Sequence, residues 1–346
     1  MAYTVRIRSA DRTIAVEPGQ TILEAALGQG VAYPHGCRSG NCGACKSRRH
    51  DGEIELAPYS EYALTPAERD GDLILACRAT PWSDAEVAWL DADEMIVHPQ
   101  RFLKCRVAAL EQATHDIRIV RLEILSGGPF TFSAGQYARV TFGALAPRDY
   151  SMANRPDVAL ETGGIEFHIR QMTGGTASVY TATTLKVGDT VAVEGPFGTS
   201  YLREQHTGPI VAVAGGSGLA PIKSIVETAL ARGMRQDIAL YFGVRDERDL
   251  YAEAAMRALA AEHPNFSFTP VLSEPSGATQ RRTGFVHEVV GAELGDTDGL
   301  KAYLAGPPPM VEAASALLAA RGVRREDLHA DAFYTEAEKS VLGVTS

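Results

Sequence analysis

The sequence predicts a three-domain protein: a small α+β domain, an antiparallel β-barrel or sandwich, and an α/β domain with a parallel sheet. Three observations predict it. Four of the five cysteines (Cys37, Cys42, Cys45, Cys77) fall in the first quarter of 346 residues. From Phe102 to Glu194, strand-like segments separated by Gly, Pro and Asp turns dominate, as in antiparallel β structure. From Pro209 onward, strands alternate with helices, which means a parallel sheet with crossover helices. The expected boundaries are 1–95, a linker at 96–101 within a charged lapse that begins at Asp91, 102–206, and 207–346.

The first domain opens with alternation over residues 3–9 and a second short strand over 13–16. Thr21-Ile22-Leu23-Glu24 is a capping box, predicting a helix from Ile22 to about Gln29, closed by Gly30. Leu73 to Ala76 reads as a buried strand delivering Cys77. In the second domain the expected strands are 104–110, 117–125, 136–142, 164–170 and 190–194. In the third, strands at 210–214, 238–242, 266–271 and 301–304 alternate with helices near 221–232, 250–262 and 310–321.

Composition narrows the function. A formal charge of −10 disfavours a nucleic-acid partner. Residues 1–97 carry 15 acidic and 9 basic side chains, so the first domain holds more than half of that excess. No apolar run approaches the roughly eighteen residues of a membrane span, and the N-terminus lacks an apolar signal core. A cytoplasmic, monomeric protein without membrane contact is expected, and there clustered thiols are ligands rather than disulfides.

Cys37-x4-Cys42-x2-Cys45 followed by a distant Cys77 is the spacing of a plant-type [2Fe–2S] site. Three thiolates come from one tight loop and the fourth from a strand. Gly36, Gly40 and Gly43 let the backbone turn its N–H groups toward the sulfurs. A four-cysteine zinc site is the competing reading, but zinc ribbons pair two short knuckles and the second is missing. Cys105, in an apolar strand, is expected to be an inert core thiol.

On these residues the segment 34–77 resembles the plant-type ferredoxins, whose fold is a β-grasp. The resemblance implies that Cys37 and Cys42 hold one iron and Cys45 and Cys77 the other. The remainder resembles the ferredoxin-NADP reductase superfamily, a flavin barrel followed by a nicotinamide domain. Taken together, and apart from the last dozen residues, the chain resembles the reductase components of bacterial multicomponent oxygenases, among them those of aromatic hydrocarbon catabolism.

Arg148-Asp149-Tyr150-Ser151-Met152 offers a cation for a pyrophosphate, an aromatic face for an isoalloxazine and a hydroxyl for its reactive N5. This matches the superfamily's Arg-x-Tyr-Ser signature. Gly174, Gly175 and Ser178 open a short helix whose N–H groups suit a diphosphate. His168 and Ile169, on the strand leading there, join the candidate cofactor set, with a purely structural His168 as the alternative. Gly195-Pro196-Phe197-Gly198 matches the closing turn of the barrel. The resemblance implies FAD rather than FMN.

Val211 to Ala214 run into Gly215-Gly216-Ser217-Gly218-Leu219-Ala220-Pro221, a strand, glycine turn and helix start fit for a dinucleotide pyrophosphate. Gly243-Val244-Arg245-Asp246 ends the second strand, where the family contacts the adenosine ribose. Asp246 would repel a 2′-phosphate while Arg245 and Arg248 could accept one, and NADH is favoured over NADPH. Gly306-Pro307 matches the nicotinamide turn, with Ala305 where the family usually has Cys. His329 to Phe333 resembles the C-terminal segment whose aromatic covers the flavin. Phe333 is the candidate cover, with Tyr334 as alternative, and Ser151 and Phe333 are the candidate catalytic residues.

A nicotinamide gives two electrons together and a [2Fe–2S] cluster takes one, so a flavin between them can split the pair. The expected function is electron transfer from NADH through FAD and the cluster to a partner. By resemblance the partner is a Rieske dioxygenase, a diiron monooxygenase, or an intermediary ferredoxin. A reductase serving a deoxysugar-forming dehydratase and a redox sensor are the alternatives. Lys46-Ser47-Arg48-Arg49-His50 is either a docking patch or a solvated turn.

Overall fold

The computed structural model describes all residues except 1, 36, 37, 39, 41, 42, 62, 91–95, 336, 337 and 339–346. The chain forms two compact units, 1–97 with 334–346, and 98–333. Each is described by itself. Among the described residues no helix is long and apolar enough to cross a membrane.

The first unit contains β1 (Tyr3–Ile7), β2 (Arg12–Val16), α1 (Ile22–Gly28), β3 (Lys46–Asp51), β4 (Ile54–Leu56), α2 (Pro66–Asp70), β5 (Leu73–Leu75), β6 (Ala79–Pro81) and β7 (Ala85–Trp89). The main sheet runs β2-β1-β7-β3-β5, with β1 and β7 parallel and the other neighbours antiparallel. Helix α1 buries Ile22, Leu23, Ala25 and Ala26, giving the β-grasp arrangement. Its capping box forms as expected: Glu24 N donates to Thr21 Oγ1 (3.3 Å) and Thr21 N to Glu24 Oε2 (3.0 Å). Gly30 takes the left-handed φ of +72° expected after the helix.

The second unit begins with β8 (Arg101–Gln112), whose first residue falls in the stretch read as linker, and β9 (Ile117–Ser126). There follow β10 (Tyr137–Phe142), β11 (Arg148–Ser151), α3 (Pro156–Thr162), β12 (Gly164–Arg170), α4 (Thr176–Thr183) and β13 (Thr190–Phe197). The sheet order is β11-β10-β13-β8-β9-β12, antiparallel throughout. Its ends meet where Met152 bridges Phe167 and Ala153 N donates to Glu166 O (2.8 Å), so the sheet closes into a barrel. The expected turn at Gly195-Pro196 is instead part of β13. Gly195 pairs with Arg101, the register against β10 shifts so that Gly195 and Pro196 of β13 together oppose Ala138, and the Gly195–Pro196 bond is cis.

The rest of this unit is β14 (Ile210–Gly215), α5 (Leu219–Ala231), β15 (Ile238–Val244), α6 (Glu253–Glu262), β16 (Phe266–Leu272), β17 (Arg282–Thr283), α7 (Val286–Glu293), β18 (Lys301–Gly306), α8 (Pro308–Ala320) and β19 (Leu328–Ala332). All six strands are parallel, in the order β17-β16-β15-β14-β18-β19. The chain starts in the middle, moves out to one side, then returns past β14 to the other. The topological switch therefore lies between β14 and β18, and ligands of such sheets bind at the carboxyl ends of the strands there. Strand β14 is buried at every position, as a central parallel strand covered on both faces must be.

Candidate functional site

Strand pairing assembles the described half of the cysteine site. In the β3–β5 ladder Lys46 faces Leu75, and Ala76 N donates to Cys45 O at 3.1 Å. Cys45 and Cys77 are thereby neighbours at one end of the pair, both buried, and Cys77 N donates to Cys45 Sγ at 3.5 Å. Ser47 Oγ donates to Cys45 O (3.1 Å) and contacts the Tyr33 hydroxyl, which fixes the turn from below. Buried sulfurs with backbone N–H donors suit thiolate ligands of a cluster. Gly40 and Gly43 have φ of +78° and +73°, the left-handed turns the loop was expected to need. Cys37, Cys42 and Gly36 lie outside the described residues.

The basic run beside the cysteines is not a free patch. Lys46 is buried and pairs with Glu68 at 2.8 Å, Arg48 donates to Gly71 O at 2.9 Å, and Arg49 pairs with Asp72. The run is strand β3, and its cations hold the neighbouring α2–β5 segment. Cys105 is buried in β8, and burial pushes its thiol up to about 12, as an inert core thiol requires.

In the barrel, Arg148 and Tyr150 share one face of β11 and both remain partly exposed. Tyr150 packs against Phe142 and Phe167, with ring centroids 6.2 and 6.4 Å away. Burial pushes its phenol up to about 12, leaving a neutral aromatic face. Arg148 Nη1 donates to Pro147 O at 2.8 Å. No side chain caps the start of α4 at Gly175, and Gly174 has a left-handed φ of +76°. Ser178 differs from expectation: its hydroxyl accepts from Met172 N (3.1 Å) and donates to Gly175 O (3.3 Å), holding the glycine loop in shape.

Three expected cofactor residues are buried. Met152 is wholly buried in the barrel core where the sheet closes, and Ile169 alternates into the same core. His168 points the other way but is also buried, its Nε2 3.2 Å from Glu166 Oε1 and its Nδ1 3.0 Å from Tyr251 Oη. Its structural reading is the one the geometry supports. The period of two explains the pattern, since every second residue of β12 must fill the barrel.

At the parallel sheet, the glycines of the two turns interlock. A Cβ on Gly218 would stand 2.1 Å from Ala305 O, and one on Gly215 would meet Met310 Sδ at 2.5 Å. A Cβ on Gly306 would lie 2.9 Å from Gly215 O. Gly218 and Gly306 are glycine because two backbones touch, whereas a Cβ on Gly215 would meet the Met310 and Pro307 side chains. Gly216 is different. It has a φ of +55°, and the nearest atom to its missing Cβ is Arg170 Nη1 at 3.4 Å. Helix α5 starts at Leu219 without a side-chain cap, so its first-turn N–H groups are available to an anion. Pro221 is its third residue rather than its first, still within the turn that lacks internal acceptors. Ser217 lies in the single turn of 3-10 helix between them. Pro307 precedes α8 and is exposed beside buried Gly306.

Past β15, Asp246 Oδ1 accepts from Glu247 N (2.8 Å) and Ser276 N (3.1 Å), tying this turn to the loop after β16. The hydrogen bonds from the Ser276 and Glu247 backbones hold its carboxyl below the usual range, so it is anionic. Arg245 Nε lies 3.7 Å from Asp249 Oδ2. His115, Asp116 and Asp249 bring one ligand atom each to within 4.8 Å of one another. Arg170 Nε already donates to Asp116 at 2.7 Å and Arg245 neighbours Asp249, so both carboxylates have cationic partners.

One contact joins the two halves of the second unit at the expected reaction centre. Ser151 Oγ donates to Asp331 Oδ2 at 3.3 Å. Asp331 is on β19 opposite Ala305, and Phe333, two residues on, donates its N–H to Gly306 O at 2.9 Å. Phe333 packs against the core of the parallel sheet, whereas Tyr334 belongs to the first unit. Sequence reasoning missed Asp331, Arg170 and Tyr251. Their signals are positional: Asp331 and Phe333 are two apart on a strand end, as are His168 and Arg170.

Comparison with known proteins agrees with this architecture. A model of the 2Fe-2S iron-sulfur cluster binding domain matches residues 5–81, one of the oxidoreductase FAD-binding domain 104–201, and one of the oxidoreductase NAD-binding domain 212–316. The ferredoxin–NAD(P)(+) reductase component of the naphthalene 1,2-dioxygenase/salicylate 5-hydroxylase systems of Ralstonia sp. is 42% identical over 318 residues, covering 92% of this chain and 94% of that protein. The phenol 2-monooxygenase reductase component of Pseudomonas sp. (strain CF600) is 37% identical over 98% of this chain and 96% of its own. Among solved structures, the Amycolatopsis cytochrome P450 reductase GcoB superposes with a TM-score of 0.76 at 36% identity, covering 96% of this chain and 98% of that one. With its 2Fe-2S, FAD-binding and NAD-binding domains in that order, this chain belongs to the family of flavin and iron–sulfur reductase components of oxygenase systems.

Proposed function

We propose that this protein carries electrons from NADH through FAD and a [2Fe–2S] cluster to a terminal oxygenase, directly or through an intermediary ferredoxin, and that it does so as a cytoplasmic monomer. The observation that carries the reading is the Ser151–Asp331 contact of 3.3 Å, which joins the Arg-x-Tyr-Ser strand of the barrel to the carboxyl end of the parallel sheet on β19, next to the β18 strand that borders the switch point. A bound flavin supplies the conversion of a two-electron donor into single-electron steps.

The chain's own residues bind and orient. Arg148 and the N–H groups around Gly174 and Gly175 would hold the flavin diphosphate, with Ser178 shaping that loop. Tyr150 would offer its face to the ring system, and Ser151, steadied by Asp331, a hydroxyl near N5. Gly216, Ser217 and the start of α5 would receive the dinucleotide pyrophosphate, with Gly215, Gly218 and Gly306 fixing the two turns, Arg245 and Asp246 near the ribose, and Pro307 beside the nicotinamide. Phe333 would shield the flavin face. Cys37, Cys42, Cys45 and Cys77 would hold the cluster. The domains proposed are 1–95, 102–206 and 207–346, joined by 96–101. The aromatic-compound systems named for the relatives support a partner of that class.

Anaerobic titration with NADH, followed by absorbance and electron paramagnetic resonance, tests this. Bleaching of the flavin together with a reduced [2Fe–2S] signal is expected. A flavin that bleaches while the cluster stays oxidised would refute the route.

A further inference from the structure

Strand β12 presents its core residues, Phe167 and Ile169, to one side and three polar residues, Glu166, His168 and Arg170, to the other. That polar side faces the parallel-sheet half of the same unit. Glu166 Oε1 lies 3.4 Å from Lys223 Nζ on α5, and Lys223 also donates to Ala153 O at 3.2 Å. Ser224 Oγ, the next residue, donates to Asn154 O at 2.8 Å. Arg170 Nη1 would lie 3.4 Å from a Cβ built on Gly216. Between these lies Tyr251, which is 5% exposed and meets the rings of His168 and Phe242 edge-on at 5.3 and 5.7 Å.

The hydrogen bonding at Tyr251 has a direction. A carboxylate can only accept, so Glu166 fixes the His168 proton on Nε2 and leaves Nδ1 as an acceptor. The Tyr251 O–H is then shared between His168 Nδ1 at 3.0 Å and Gly216 O at 3.4 Å. The Gly216 carbonyl also accepts from Leu219 N inside the 3-10 turn, so the Tyr251 O–H is its second partner and ties the turn to the barrel strand.

We propose that Tyr251 is a positioning residue for nicotinamide binding: its hydroxyl pins the Gly216 carbonyl to His168 and so sets the glycine turn relative to the flavin barrel. This rests on the reading that the turn receives the dinucleotide. Neither Tyr251 nor His168 need touch NADH. The device works because the barrel strand that carries His168 is rigid, being paired with β9 along its whole length.

The test uses the flavin- and cluster-loaded protein and NADH. Tyr251→Phe keeps the ring and removes the hydroxyl. The expected result is a KM for NADH raised about threefold to tenfold, the worth of one hydrogen bond, with kcat within twofold, flavin content unchanged and reduction by dithionite unaffected. His168→Gln, which alters the partner but leaves the Tyr251 ring in place, should shift KM in the same direction, and the double variant should be no worse than the larger single effect. Should Tyr251→Phe not fold, His168→Gln alone decides. Gly216→Ala separates the two readings. If it raises KM while Tyr251→Phe and His168→Gln do not, the positioning role is overturned and the turn's role stands. If none of the three changes KM, the turn reading fails and the proposal with it. A loss of flavin, or an equal fall of kcat with NADH and of the dithionite rate, would mark Tyr251 as merely structural.

Discussion

The interlocked turns at the switch point make Gly218→Ala the sharpest perturbation available. Gly218 has φ −60° and ψ −14°, a conformation alanine adopts freely, so the substitution carries no backbone strain. Its whole effect is steric. The new methyl would stand 2.1 Å from Ala305 O, 2.4 Å from Ala305 C and 2.8 Å from Gly306 Cα. Each is a backbone atom of β18 that cannot rotate away. A normal contact requires the β14 and β18 turns to part by about 1 Å, an overpacking that costs about 1–3 kcal/mol of stability. A displacement of that size between a binding turn and a reacting centre lowers rates about 100-fold. Stopped-flow measurement of flavin bleaching by NADH should show that loss, while dithionite still reduces flavin and cluster at the normal rate. Wild-type bleaching with an unchanged KM for NADH would refute the account of these glycines as close-packed supports of the dinucleotide site.

Arg148→Ala should lower flavin occupancy in the purified protein, measured by absorbance against protein concentration, and full occupancy would remove Arg148 from the diphosphate site. Cys77→Ser should abolish the cluster's visible absorbance and the reduction of cytochrome c while sparing that of ferricyanide; retained cytochrome c activity would contradict the route through the cluster. Cys105, buried and with its thiol pushed up to about 12, should remain unalkylated by iodoacetamide in native protein at pH 8, read by peptide mass spectrometry. Asp246→Ala should narrow the preference for NADH over NADPH, measured as the ratio of kcat/KM values, because the anionic carboxylate beside the expected ribose site is removed.

Much of the architecture is legible because burial writes its period into the chain. Residues 210–214 are apolar without interruption, which a central parallel strand needs, and Gly164–Arg170 alternate because only one side faces the barrel core. Strand β3 is not legible. Lys-Ser-Arg-Arg-His-Asp carries no apolar alternation, and its place in the sheet comes from partners remote in sequence: Glu68, Gly71 and Asp72 for its cations and Leu75 for its register. The candidate site divides in the same way. Spacing identifies a cysteine loop or an Arg-x-Tyr-Ser strand, since those residues lie close in the chain. Asp331, 180 residues from Ser151, meets it only through the fold. Nor can a sequence separate a glycine kept for backbone contact, such as Gly218, from one kept for its left-handed turn, such as Gly216.

The polar side of β12 also makes the union of the barrel and the parallel sheet sensitive to pH. Burial alone would raise the Glu166 carboxyl. The hydrogen bond from His168 and the charges of Lys223 and Arg121 outweigh it and hold Glu166 far below the usual carboxylate range. A group depressed on folding contributes stability that is present above its unfolded value, near 4.5, and is lost as pH falls toward the folded one. The groups that hold it come from three places: β9 gives Arg121, β12 itself His168, and α5 Lys223. As pH falls, proton uptake by this carboxyl on unfolding therefore favours the unfolded chain. Glu166→Gln should cut stability at neutral pH, where the charge is lost from between the Lys223 and Arg121 cations, yet flatten the fall of Tm between about pH 5 and pH 3. Parallel Tm–pH curves for the two proteins would show that the acid limb arises elsewhere and that Glu166 does not govern this seam.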